Sequence, residues 1–293
     1  MKAVLFYIFR SVNWVLTLLP LNILYAFSPL FYFILFYFPG YRKSVVLNNL
    51  NNAFPLKTKE EIDTILKKFY RHLADVFIEV LKLQHMKAPE IKKRYKVINS
   101  ELLDKLSDQG KSTIAVFGHY ANWEWIISLP LSIKYRSVTV YKPLANKYFD
   151  RYFKKLRSQY GLELVPMSRI GRVLYSFENE GTNSLTGLVA DQTPPYSEIQ
   201  YWTKFLNQDT PVYPGIEKIS RKFNMAVVFF HLDKVKRGYY ELRPRLITAE
   251  PLSLQPWELT EKHVHLLEDQ IKNRPELWLW THRRWKHKKP ASQ

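Results

Sequence analysis

Apolar positions recur along this chain in two periods, and their alternation predicts the fold. Short β-branched or aliphatic runs read as buried strands: Ser112–Phe117, Ser137–Tyr141, Leu162–Val165, Leu185–Ala190 and Met225–His231. Between and around them, apolar residues return every three or four positions. Thr58 and Glu61 form a capping box that opens a long helix with Ile62, Ile65, Leu66, Phe69, Leu73, Val76, Phe77 and Val80 on one face. Asn146 caps a second helix bearing Phe149, Tyr152, Phe153, Leu156 and Tyr160, which Gly161 stops. Further helices are expected over 169–178, 215–223 and 260–273, and Arg237-Gly238-Tyr239-Tyr240 reads as a hairpin turn. Residues 41–55 read as a short connector. Strands and helices thus alternate in an α/β pattern.

The N-terminus departs from this pattern. No charged residue occurs between Arg10 and Arg42, a gap long enough to cross a bilayer, but Pro20 and Pro29 interrupt it. We expect residues 1–41 to be a membrane anchor, as one spanning helix or as a kinked hairpin lying in one leaflet. The alternative is a hydrophobic helix packed on the globular part. Residues 42–293 then form the catalytic domain. The run is too long for a cleaved signal peptide.

Charge narrows the partners. The 293 residues carry a net charge of +18 with 15% aromatics, which favours anionic lipid, an acidic protein or nucleic acid. No nucleic-acid-binding signature accompanies the charge, so nucleic acid is set aside. The absence of Cys removes thiol nucleophiles, disulfides and cysteine-ligated zinc. His263 and His265, two apart on a helix, face different ways, and no metal-ligand motif is present.

The chemistry concentrates in Phe117-Gly118-His119-Tyr120-Ala121-Asn122-Trp123-Glu124-Trp125. A buried strand ends at Gly118, a polar turn follows, and a helix begins at Trp123. That places the turn at the carboxyl edge of a sheet, where open α/β sheets carry their sites. If the turn folds back, Glu124 accepts a hydrogen bond from one nitrogen of His119 and leaves the other as a proton acceptor. The plainer alternative is a loop histidine beside an ordinary helix-start carboxylate. With no Gly-x-Ser-x-Gly in the chain, the nucleophile is expected to come from the substrate.

His-x4-Glu in this setting resembles the His-x4-Asp/Glu block of glycerolipid acyltransferases, and most of all the lipid A biosynthesis (lauroyl/myristoyl) acyltransferase family. The likeness continues through Tyr41-Arg42, Asn49-Leu50 and Phe54-Pro55, through Asp191-Gln192 and through Phe205-Leu206-Asn207. It ends in Pro275-Glu276-Leu277-Trp278-Leu279-Trp280-Thr281-His282-Arg283-Arg284-Trp285. Position 121 is Ala where the family commonly has Gly, a change expected to be harmless. The resemblance implies a glycerolipid-acyltransferase-like α/β domain with a central twisted mixed sheet flanked by helices, at a bacterial inner membrane with the site facing the cytoplasm. It implies fatty acyl transfer from acyl-carrier protein to a hydroxyl of a lipid A precursor, with no cofactor and no metal. His119 would be the base and Glu124 its support. Arg157 is carried over as a contact to substrate phosphate, the alternative being a surface arginine. Asp191 can orient a substrate hydroxyl or close an Asx-turn. Arg283 and Arg284 offer guanidinium forks for phosphate or carboxylate. An aminolipid, glycolipid, polyene lipid or lysophospholipid acceptor, and a non-catalytic lipid-binding scaffold, are the alternatives.

Overall fold

The computed structural model describes residues 2–38 and 40–290. Four helices open the chain: α1 (Lys2–Leu16), α2 (Leu21–Leu24), α3 (Ser28–Tyr37) and α4 (Lys43–Ala53). The long α5 (Lys59–Lys82), α6 (Ala88–Arg94), β1 (Tyr95–Val97) and α7 (Glu101–Asp108) follow. The central part runs β2 (Thr113–Phe117), β3 (Arg136–Tyr141), α8 (Lys147–Ser158), β4 (Glu163–Pro166), α9 (Ile170–Asn179) and β5 (Ser184–Val189). A hairpin of β6 (Tyr201–Phe205) and β7 (Gln208–Val212) precedes α10 (Gly215–Lys222). The paired β8 (Ala226–Lys236) and β9 (Tyr239–Thr248) and the helix α11 (Glu258–Asn273) complete the set.

Seven strands form one sheet in the order β1-β9-β8-β2-β5-β3-β4, parallel at every junction except β8–β9. The strand β2 lies at its centre and is buried on both faces. Its residues alternate between two apolar layers: Ile114 and Val116 pack with α9 and α10 residues such as Leu174 and Ile216, while Ala115 and Phe117 face the larger core that contains α5. A run buried on both faces reads as continuously apolar, which is why this strand was visible in the sequence.

The capping box at Thr58 and Glu61 forms with both hydrogen bonds in place. Four expectations need correction. Residues 43–53 are not a connector but the helix α4, whose buried stripe is Val46, Asn49, Leu50 and Ala53. Phe77 is exposed, whereas Ile78 and Glu79 beside it are buried. The segment Trp123–Leu131 is a 3-10 helix carrying Pro130 rather than an α-helix. The N-terminal anchor does not form one spanning helix, since Pro20 and Pro29 fall where the chain breaks into α1, α2 and α3. Among the described residues no helix is long and apolar enough to cross a membrane. The segment is instead two-faced. Leu21, Leu24 and Phe36 join the core, while Leu5, Ile8, Val12, Leu30 and Phe33 are exposed.

Candidate functional site

The parallel register of β2 and β5 builds the site. Phe117 pairs with Val189, and the Ala190 amide donates to the Phe117 carbonyl at 3.0 Å. Continuing that register past both strand ends brings residue 119 opposite residue 191. The side chains meet there: His119 Nδ1 lies 2.7 Å from Asp191 Oδ1, and the His119 backbone amide donates to Asp191 Oδ2 at 2.7 Å. The Trp278 indole donates to the same Oδ2 at 2.7 Å. An ionised carboxylate only accepts, so Nδ1 carries the proton and Nε2 holds the free lone pair. The Gln192 amide sits 3.4 Å from Nε2.

Gly118 makes the close approach possible. A Cβ at that position would stand 3.1 Å from Asp191 Oδ2 and 2.7 Å from a Leu267 methyl.

The electrostatics fit a polarised pair. Burial opposes a charge on His119, yet the charge and hydrogen bond of Asp191, with Glu124 adding, hold the imidazole above its ordinary value. Burial would raise the Asp191 carboxyl, but the charge on His119, its two hydrogen bonds and the indole bring it down to about 2. The imidazole side chain is 18% exposed and the carboxylate 3%. A buried carboxylate therefore backs a histidine that still reaches solvent.

The support for His119 expected from Glu124 comes from Asp191 instead. Asn122 accepts the Trp125 amide with its side chain and starts the 3-10 helix that carries Glu124. Glu124 is held there by Arg157 of α8 in a two-pronged pair, Nη2 to Oε1 at 2.6 Å and Nε to Oε2 at 3.0 Å. Arg157 is thus not a lone surface arginine. It stands at the His119 site, close enough for its charge to act on the imidazole.

The two C-terminal arginines separate. Arg283 is exposed. Arg284 is 2% exposed and donates to the Pro211 carbonyl at 2.8 Å and to Thr193 Oγ1 at 3.2 Å. It ties β7 to the loop that follows Asp191, so it does not offer a fork to a phosphate. Burial lowers its pKa to about 10, which leaves it charged at neutral pH.

The surrounding C-terminal segment is built into the turn. The Ala121 amide donates to the Leu277 carbonyl at 2.9 Å, and the Leu279 amide donates to the His119 carbonyl at 3.0 Å. Asn49 of α4 donates to the carbonyls of Trp280 and His282, each at 2.9 Å, and Arg42 donates to that of Thr281 at 3.0 Å. Ala121 itself adopts φ +50°, a conformation Gly takes freely, so alanine there costs about 1–2 kcal/mol of backbone energy.

Sequence reasoning placed His119 at a sheet edge but missed that Asp191 is its partner. The available signal was that His119 and Asp191 each stand two residues past the end of a buried strand, at the same edge of the sheet. Among the described residues no three His, Asp or Glu side chains converge on a metal-sized site. In comparison with known proteins, a family described as bacterial lipid A biosynthesis acyltransferase matches residues 1–287. No curated protein matches the chain.

Proposed function

This chain belongs to the bacterial lipid A biosynthesis acyltransferase family, and from that premise we propose that it moves a fatty acyl group from an acyl-carrier-protein thioester to a hydroxyl of a lipid A precursor, with His119 as the general base. The observation that carries the reading is the His119–Asp191 pair at the carboxyl edge of β2 and β5, with Nε2 unprotonated.

The acceptor hydroxyl takes the place of the Gln192 amide at Nε2 and gives up its proton there. Its oxygen forms a bond to the thioester carbonyl carbon. Asp191 keeps the imidazole in the required tautomer and stabilises the imidazolium. When the tetrahedral intermediate collapses, the carbon–sulfur bond breaks and the leaving thiolate recovers the proton from His119. Gln192, displaced from Nε2 but adjacent to it, is the donor best placed for the oxyanion. Glu124 fixes Arg157 at the site, where the guanidinium nitrogen not used by Glu124 remains available for a phosphate of the acceptor.

The net charge of +18 suits an acidic carrier protein and an anionic bilayer. The exposed apolar faces of α1 and α3 suit a hairpin lying in one leaflet, which we assign to the cytoplasmic side of a bacterial inner membrane.

The test is acyl transfer in detergent from labelled acyl-carrier protein to a lipid A precursor and, separately, to total cell lipid. His119→Ala is expected to lose about 10²–10⁴-fold in rate, and Gln192→Ala about 10²–10³-fold. Equal rates in wild type and His119→Ala would discard the mechanism. Product formed only from total lipid would replace the acceptor.

A further inference from the structure

The helix α5 carries a second, polar stripe within its buried surface. His72, Asp75, Glu79 and Lys82, spaced three, four and three apart, are all buried. Spacing of this kind puts them on one face. Burying four ionisable residues on one helix is costly unless each is satisfied, and here each one has partners.

Two members grip the catalytic turn at consecutive residues. The Ala121 carbonyl accepts from His72 Nε2 at 3.1 Å, and Lys234 donates to His72 Nδ1 at 3.2 Å. Glu79, fully buried, receives the Asn122 side-chain amide on Oε2 at 2.5 Å and the Tyr240 hydroxyl on the same oxygen at 2.8 Å. Its backbone carbonyl accepts the Trp125 indole at 3.2 Å. The other carboxylate oxygen receives the Tyr25 hydroxyl, from the apolar N-terminal segment, at 2.5 Å. That segment is fastened to α5 at two further points. Ser28 donates to Asp75 at 2.6 Å, and Lys82 donates to the carbonyls of Thr17 and Leu19 at 2.8 and 2.9 Å. Gly238, at φ +70°, opens the space for Tyr25, since a Cβ there would stand 2.5 Å from its hydroxyl.

We propose that Glu79 is a positioning residue for acyl transfer, holding Asn122 and hence the turn that aims His119, and that through Tyr25 it makes this aim depend on the seating of the N-terminal apolar helices. The inference rests on the reading of His119 as the base. Removing the grip leaves the fold standing but lets the imidazole wander. Burial and the neighbouring carboxylate push the Tyr240 and Tyr25 phenols up, so both remain donors.

The test uses four forms of the full chain against wild type: Tyr25→Phe, Glu79→Gln, Asn122→Asp and the double variant Glu79→Gln/Asn122→Asp. Asn122→Asp sets two carboxylates against each other. It is expected to lower kcat about 10²-fold, the loss that a shift of about 1 Å in a catalytic group produces, with the acceptor KM unchanged. The double variant reverses donor and acceptor at the same contact and is expected to return kcat to within about threefold of wild type. Tyr25→Phe, the mildest change, is expected to lower kcat several-fold. Amide exchange of residues 118–126, read by mass spectrometry, is expected to rise in each single variant and recover in the double. That readout does not depend on activity, so it decides the grip even if wild type transfers no acyl group and the acyltransfer reading falls. Lower melting temperature with kcat of the folded protein unchanged, or no recovery in the double variant, would overturn the proposal.

Discussion

His119 and Asp191 differ in their surroundings, and on the proposed mechanism that difference divides the work between them. A carboxylate that titrates at about 2 remains charged across the working range and holds the imidazole above its ordinary value of about 6.5. A histidine base works only when neutral, so if His119 is that base, activity is expected to fall as pH drops through that raised value. Asp191→Asn removes both the charge and the tautomer control. We expect a loss of about 10⁴ in kcat, the size seen when a triad carboxylate is made an amide, with the acid limb of the remaining activity moved to lower pH. Glu124→Gln is expected to act differently, by loosening Arg157: acceptor KM rises while kcat falls less than in Asp191→Asn. Steady-state kinetics between about pH 5 and 9 check both, and a larger kcat loss in Glu124→Gln would return Glu124 to the role first read for it.

At the scale of elements, the parallel neighbours β2 and β5 carry both halves of the pair, and Gly118 sets how closely they join. In Gly118→Ala the Leu267 methyl can rotate away, but Asp191 Oδ2 is pinned by the His119 amide and the Trp278 indole. The variant is expected to lose about 1–3 kcal/mol in denaturant unfolding, the range for overpacking, and more activity than the stability loss explains. Wild-type stability and rate would show that the carboxylate has room to spare. The strands β2, β3, β4, β5 and β8, the α5 capping box and α8 were legible because each is written locally, in apolar period or cap residues, whereas β1, β6 and β7 carry no such run. The His119–Asp191 pair was not, because its partners are 72 residues apart and only strand order makes them neighbours. Nor was the role of Glu124, since a five-residue spacing does not say whether a turn folds back. The α4 stripe escaped notice because Asn49 interrupts it, and that asparagine spends its amide on the C-terminal segment.

At the scale of the whole molecule, charge and the N-terminal helices act together. A net +18 attracts anionic surfaces over a screening length of about 10 Å at 0.1 M salt, whereas the exposed residues of α1 and α3 gain about 25 cal/mol per Å2 buried in any bilayer. Vesicle sedimentation is therefore expected to show strong binding to anionic vesicles that weakens with salt, and a salt-insensitive remainder on neutral ones. Leu5→Glu with Ile8→Glu should remove the remainder. A remainder that survives in that variant would move membrane contact elsewhere. The seating of Trp278 beneath Asp191 also has a consequence in time. The indole follows the carboxylate by 87 residues, which a ribosome working at about 5–20 residues per second takes roughly 4–17 s to add. During synthesis the N-terminal helices are thus made, and free to seat on α5, seconds before Asp191 can receive the last of its donors.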